Sequence, residues 1–211
     1  MSEIVPTVTA YNEQQFHQQL QLIHGFSKRV HIDLMDGEFA PTQSLSLADV
    51  WWPDDMVVDL HLMHQRPMET LDTLLRMKRH PRLVIVHNEA DVHHMQFAAE
   101  LHKEDILVGL AVLQDTPIEW TEQIMHSFDH VLIFSGNLGH HGGEADMNML
   151  KKVAFLHDMH PEVEVGWDGG IDENNALALV DAGVQVLNVG GGIHRASDPA
   201  QAYATLSSLI H

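Results

Sequence analysis

Short apolar runs recur along this chain at intervals of roughly 25 residues, and amphipathic segments separate them. The runs cover residues 3–8, 30–35, 57–63, 83–87, 107–113, 131–135, 163–167 and 186–189. Helical patterns lie near 12–25, 67–80, 91–103, 117–127, 146–159, 173–182 and 198–210, with a shorter segment near 47–52. Strands rich in Val, Ile and Leu that alternate with helices predict a parallel sheet covered by helices. We therefore expect a single (β/α)8 barrel domain over residues 1–211.

Composition limits the classes of partner. The chain has 211 residues, of which 45% are hydrophobic, and this is enough for one barrel domain. Its formal net charge of −19 opposes binding to nucleic acid or to anionic membranes. No apolar run of membrane-spanning length and no signal-like leader is present. The absence of cysteine excludes disulfides and thiolate metal sites, and we expect a cytoplasmic protein.

Side chains that can bind a metal share one face of two predicted strands. Alternate residues of a strand point the same way, so His31, Asp33 and Met35 lie on a common face. The run at 57–63 repeats the pattern with His61, and Asp168 follows a later strand. In such barrels the chemistry lies at the carboxyl ends of the strands. The sequence therefore predicts a metal-centred active site at that end.

Motifs in this order and spacing resemble those of the ribulose-phosphate 3-epimerase family over nearly the whole chain. The matching stretches are 31–41, 59–63, 86–89, 116–117, 135–139, 167–171 with Asn175, and 188–191. The resemblance implies a TIM barrel of the ribulose-phosphate-binding type. It also implies a metal-dependent isomerase that acts on a sugar phosphate.

By this resemblance, His31, Asp33, His61 and Asp168 are ligands of one divalent metal ion. Zinc, iron, manganese and cobalt all suit such ligands, and zinc is our first expectation. The residues matching Asp33 and Asp168 are also the family's acid and base. Epimerisation at carbon 3 removes a proton from one face and returns one to the other, which needs two such groups. The metal would stabilise the enediolate between these steps.

The resemblance also implies a set of substrate-binding residues. They are Thr7, Met35, Met63, Ser135, Gly139, Gly142, Gly143, Gly169, Gly170, Gly190 and Gly191. The two methionines are expected to exclude water from the reacting atoms, although core filling is an alternative. The glycines after strands 6 to 8 are expected to offer backbone N–H groups to the phosphate. Arg195 is expected to contribute little, and His140 and His141 lie on the expected lid.

Several positions depart from the family pattern. Thr7 stands where the family has serine and keeps the hydroxyl, but Leu113-Gln114 replaces Asn-Pro at the end of strand 5. In the strand-6 loop Phe134 replaces a methionine, and the closing glutamine is lost. The first expectation is interconversion of D-ribulose 5-phosphate and D-xylulose 5-phosphate. The alternatives are a hexulose phosphate such as D-allulose 6-phosphate, or a non-catalytic sugar-phosphate-binding paralogue.

Two other barrel chemistries fit the residues poorly. A Schiff-base aldolase needs a lysine at a strand end, and no lysine occupies such a position. A related group of synthases and decarboxylases carries Asp-x-Lys-x-x-Asp, but Met35 occupies the lysine position after Asp33. We therefore expect a small sugar phosphate as the partner, in a homo-oligomer of unspecified size.

Overall fold

The computed structural model describes residues 2–140 and 142–211, so His141 lies outside the described residues. Its centre is a closed barrel of parallel strands that pair in sequence order, and β8 closes against β1. The strands are β1 (Glu3–Thr9), β2 (Arg29–Met35), β3 (Val57–Met63), β4 (Leu83–His87), β5 (Leu107–Val112), β6 (His130–Phe134), β7 (Glu164–Asp168) and β8 (Val186–Val189). The predicted (β/α)8 barrel is confirmed.

Helices cover the outside of the barrel. They are α1 (Glu13–His24), α2 (Leu71–Leu75), α3 (His94–His102), α4 (Leu150–Met159), α5 (Ala176–Asp181), α6 (Gly191–His194) and α7 (Pro199–Leu209). In α1 the Asn12 side chain caps the first turn, and Phe16, Leu20 and Ile23 are buried at helical spacing. Among the described residues, no helix is both long and apolar enough to cross a bilayer.

Three predicted helices differ from the structure. The segment 117–127 forms two 3₁₀ turns, Ile118–Thr121 and Met125–Ser127. The Thr121 hydroxyl donates to the Ile118 carbonyl there, and such local side-chain bonds compete with helix formation. The segment 67–80 begins with a 3₁₀ turn, Pro67–Thr70, and continues only through α2. Between β2 and β3 the short predicted helix is a 3₁₀ turn, Leu47–Asp49.

In the barrel interior, an apolar layer of side chains lies between two polar layers. At the amino-terminal end of the strands, Asp59 is buried and binds the guanidinium groups of Arg29 and Arg82. An apolar layer follows, formed by Leu83, Ile85, Ala111 and Leu132. The polar residues of the opposite end lie above this layer. Asp59 lies two residues before His61 on the same face of β3, yet it belongs to the other end of the barrel.

Candidate active site

Strand register brings the four expected metal ligands together. Asp33 on β2 lies opposite His61 on β3, and His31 precedes Asp33 by two residues on the same face. Asp168 ends β7, across the barrel mouth. One ligand atom from each of the four residues lies within 4.8 Å of the others. His61 Nδ1 is 3.0 Å from Asp33 Oδ1, and His31 Nε2 is 3.2 Å from the same oxygen.

This cluster fits a divalent metal ion. His31 Nε2 is buried and, although it lies 3.2 Å from Asp33 Oδ1, it makes no hydrogen bond of proper geometry in the part of the chain that the structure describes. A buried ring nitrogen without a partner is unfavourable, and a bound cation would satisfy it. Two imidazole nitrogens with carboxylate oxygens suit zinc, iron, manganese or cobalt, and the arrangement does not select among these.

Burial and neighbouring charges give the two carboxyl groups different pKa values. Burial alone would raise the pKa of Asp33, but the neighbouring His31 and His61 imidazoles outweigh it and hold that pKa well below its usual range. Burial and the Asp33 charge raise the pKa of Asp168 to about 7. Burial also lowers the pKa of His61 to about 3, so its ring is neutral. Without a metal, Asp33 is therefore ionised and Asp168 readily holds a proton near neutral pH.

Hydrogen bonds behind the cluster orient the ligands. Thr9 Oγ1 donates to Asp33 Oδ2 at 2.6 Å. His61 Nε2 lies 2.9 Å from His87 Nε2, and His87 Nδ1 is 3.5 Å from Glu89 Oε2. If His61 donates its Nε2–H to His87, its Nδ1 keeps a lone pair for a metal. His87 thus contacts the proposed ligand His61 from behind.

A cavity of about 160 Å³ opens beside the cluster at the barrel mouth. Of the expected substrate-binding residues, those that line it are Thr7, Met35, Met63, Gly139, Gly142, Gly143, Gly169, Gly170, Gly190 and Gly191. Ser135 instead lines a neighbouring cavity, and its hydroxyl accepts the Asp146 backbone N–H at 2.7 Å. Ser135 therefore supports the loop after β6 from behind.

Glycine is required at two positions where loops meet. A Cβ at Gly169 would lie 2.1 Å from the Gly136 nitrogen, and one at Gly170 would lie 2.0 Å from the Ala145 nitrogen. Both glycines also have positive φ, at 109° and 71°. The loop after β7 therefore packs directly on the loop after β6. This contact builds one wall of the cavity.

Several cavity residues were not anticipated as substrate-binding residues. Arg195 was expected to contribute little, yet its guanidinium lies over the glycine loops. Its Nη2 is 2.6 Å from the position of a Cβ at Gly191, and its Nη1 is 2.9 Å from that at Gly142. No described residue forms an ion pair with it. Thr9, Phe134 and Asn188 also line the cavity. Strand alternation offers a signal for two of them, since Thr9 follows Thr7 by two residues and Asn188 precedes Gly190 by two.

Comparison with known proteins identifies the family. The model of the "Ribulose-phosphate 3 epimerase family" matches residues 3–194. The chain belongs to this family. The resemblance in the motifs is thereby confirmed, and so is the expected enzyme class, an isomerase acting on carbohydrates.

Curated relatives carry the same name. Ribulose-phosphate 3-epimerase of Schizosaccharomyces pombe is 27% identical over 187 residues, which cover 86% of this chain and 81% of that protein. The Aquifex aeolicus ribulose-phosphate 3-epimerase is 27% identical, and the match covers 100% of this chain and 97% of the relative.

Solved structures support the fold. A crystal structure of 3-hexulose-6-phosphate synthase superposes with a TM-score of 0.70 at 18% identity and covers both chains fully. Orotidine 5'-phosphate decarboxylase from Pyrococcus horikoshii gives a TM-score of 0.63 at 14% identity, with 98% of each chain covered. At these identities the likeness concerns the barrel alone.

Proposed function

We propose that this protein is a metal-dependent 3-epimerase of a ketose phosphate, and that it interconverts D-ribulose 5-phosphate and D-xylulose 5-phosphate. The observation that carries the proposal is the cluster of His31, Asp33, His61 and Asp168 at the mouth of the cavity. Family membership supports the same chemistry.

The two carboxyl groups are suited to move one proton each. Asp33 is assigned as one proton carrier and Asp168 as the other; in the metal-free protein the pKa of Asp33 is depressed and that of Asp168 is raised to about 7. The roles exchange when the reaction runs in reverse. A bound divalent ion would polarise the substrate carbonyl and offset the negative charge that develops after proton removal. Thr9 holds the Asp33 carboxylate in place through its hydroxyl.

Apolar side chains keep water from the reacting carbon. Met35 and Met63 are buried and form a cluster with Ala40 beside the metal ligands. Phe134 covers the imidazole of His61, with ring centroids 5.8 Å apart. A site from which water is excluded strengthens its electrostatic interactions and limits side reactions of the intermediate.

The phosphate group is assigned to the glycine loops after β6, β7 and β8. Gly170, Gly190 and Gly191 line a cavity that Arg195 also lines, and their backbone N–H groups are the proposed phosphate donors. A guanidinium presents paired donors that match phosphate oxygens. In a chain of net charge −19, such a local cation offsets the repulsion that an anionic substrate experiences.

A six-carbon substrate is the second candidate within the same chemistry. Phe134, which replaces the methionine of the family pattern, lines the cavity, so the pocket differs from the family motif at this position. D-allulose 6-phosphate represents this class. A non-catalytic sugar-phosphate-binding role is disfavoured, because all four potential metal ligands are retained.

Lysine chemistry finds no support among the described residues. Lys152 is buried, but its ammonium group donates to the carbonyls of Leu113 and Gln114 at 2.6 and 2.9 Å. It therefore fixes the end of β5 and is committed to the backbone. Met35 lines the cavity at the position where the synthase and decarboxylase motif has its lysine.

A turnover assay tests the proposed function. The purified protein is stripped of metal, reloaded separately with zinc, iron, manganese or cobalt, and assayed with D-ribulose 5-phosphate and D-allulose 6-phosphate. We expect turnover of the pentulose phosphate, with zinc as the preferred metal. Absence of turnover of both sugars by metal-loaded protein would contradict an epimerase. Homo-oligomerisation and a cytoplasmic location remain predictions.

A further inference from the structure

Asn188 is a buried amide without a hydrogen-bond partner. It lies on β8, is 2% exposed and lines the cavity at the barrel mouth. Neither its Oδ1 nor its Nδ2 has a partner among the residues that the structure describes. Buried side-chain amides in proteins are normally hydrogen-bonded, because they otherwise lose their hydration without compensation.

The free protein gains nothing from an amide at this position. Burying two unpaired polar atoms carries a desolvation penalty that an apolar side chain of the same shape would not carry. The buried Thr121, in contrast, donates its hydroxyl to the Ile118 carbonyl at 2.7 Å. Asn188 therefore has, at the cavity wall, a donor and an acceptor that no described residue uses.

The position of Asn188 indicates which part of the substrate would lie beside it. In the strand register it lies beside Asp168 of β7, and neighbouring strands are about 4.8 Å apart. Gly190 follows it by two residues, which is about 6.6 Å along the strand. A ketose phosphate whose reacting carbon is at Asp168 and whose phosphate is at Gly190 must pass Asn188. The carbon between those two groups carries a hydroxyl.

We propose that Asn188 is a substrate-binding residue that hydrogen-bonds the hydroxyl on the carbon next to the reacting one, which is carbon 4 of D-ribulose 5-phosphate. A carboxamide both donates and accepts, so one side chain satisfies both properties of a hydroxyl. The assignment rests on the proposed function. It adds a residue that recognises the part of the sugar between the metal site and the phosphate site.

A shape-matched variant tests this role. Asn188→Leu keeps the side-chain outline and removes both polar atoms. We expect the metal-free variant to melt at a higher temperature than the parent, while KM for D-ribulose 5-phosphate rises about 10-fold or more. Thr121→Val is the control, since it should lower the melting temperature without changing KM. A lower melting temperature for Asn188→Leu, or an unchanged KM, would overturn the assignment.

A substrate without the hydroxyl identifies the contact. Calorimetry measures binding of D-ribulose 5-phosphate and its 4-deoxy analogue to the metal-loaded parent and to Asn188→Leu. The parent should prefer the natural sugar about 10-fold, and the variant should bind both equally. Equal discrimination by both proteins would overturn the role of Asn188. If the parent binds the sugar with this preference but does not turn it over, the epimerase proposal fails and the Asn188 contact stands. If the parent binds neither sugar, the contact is refuted.

Discussion

Asp33 and Asp168 show how identical side chains obtain different properties. At the barrel mouth Asp33 is buried and Asp168 is partly buried. Two imidazoles and a hydroxyl lie within 3.2 Å of Asp33, whereas the same imidazoles lie 3.8 and 3.9 Å from Asp168. The pKa of the first is therefore depressed, and that of the second is raised to about 7. In the metal-free protein such a separation leaves one carboxyl group ionised and the other readily protonated near neutral pH.

Removal of either proton carrier should abolish most of the turnover. Asp33→Asn and Asp168→Asn are each expected to lower kcat by about 100-fold or more, because an amide cannot exchange a proton at this pH. Metal content is measured on the same samples by atomic spectroscopy, since both residues are also expected ligands. Near-normal rates in both variants would refute the acid–base assignment.

Metal affinity should depend on pH below about 7. Asp168 must lose its proton to bind a cation, and burial and the Asp33 charge raise its pKa to about 7. The pKa of His31 is raised too, because the Asp33 carboxylate outweighs the effect of burial. Protons thus compete with the metal on the acidic side, so affinity should rise with pH and level off above this range. Competition with a chelator measures this, and a pH-independent affinity between pH 5 and 8 would contradict it.

Local patterns carried most of the information on the metal cluster. Alternation along β2 was enough to place His31 and Asp33 on one face, because every second side chain of a strand points to the same face. The contacts of Ser135 and Arg195 depend on which loop packs against each of them. The sequence alone does not show this packing. Ser135 turns to Asp146, and Arg195 lies over Gly142.

At the scale of elements, the loops after β6 to β8 form the phosphate side of the cavity. Arg195 follows α6 and spans from the strand-8 loop to Gly142 of the strand-6 loop. Strand positions were predictable because apolar runs are continuous when both faces are buried. The segment 117–127 was not, since its helical periodicity is equally compatible with the two 3₁₀ turns that Thr121 stabilises.

Arg195→Ala should weaken substrate binding. We expect KM for D-ribulose 5-phosphate to rise about 10-fold with little change in kcat, because the guanidinium lies beside the glycine loops that are assigned to the phosphate. Arg76→Ala is the matched control, since Arg76 is exposed and, among the described residues, pairs only with Asp72. Steady-state kinetics at two salt concentrations provide the comparison. An unchanged KM would restore the expectation that backbone groups alone bind the phosphate.

At the scale of the whole molecule, the barrel separates stability from chemistry. The ionic layer around Asp59 lies at one end, the active site at the other, and apolar side chains fill the space between. Asp59→Ala would leave Arg29 without its buried partner, and we expect a loss of about 3 kcal/mol in the free energy of unfolding. Denaturant titration measures this loss. The folded fraction should keep its kcat, and a large fall in kcat would contradict the separation.

Solvent isotope incorporation tests the central claim most directly. The metal-loaded protein is incubated with D-ribulose 5-phosphate in deuterium oxide, and the product is examined by NMR. Two-carboxylate proton transfer predicts D-xylulose 5-phosphate that carries deuterium at carbon 3, and a loss of this incorporation in Asp33→Asn and Asp168→Asn. Product without deuterium at carbon 3, or incorporation that survives both substitutions, would contradict the account.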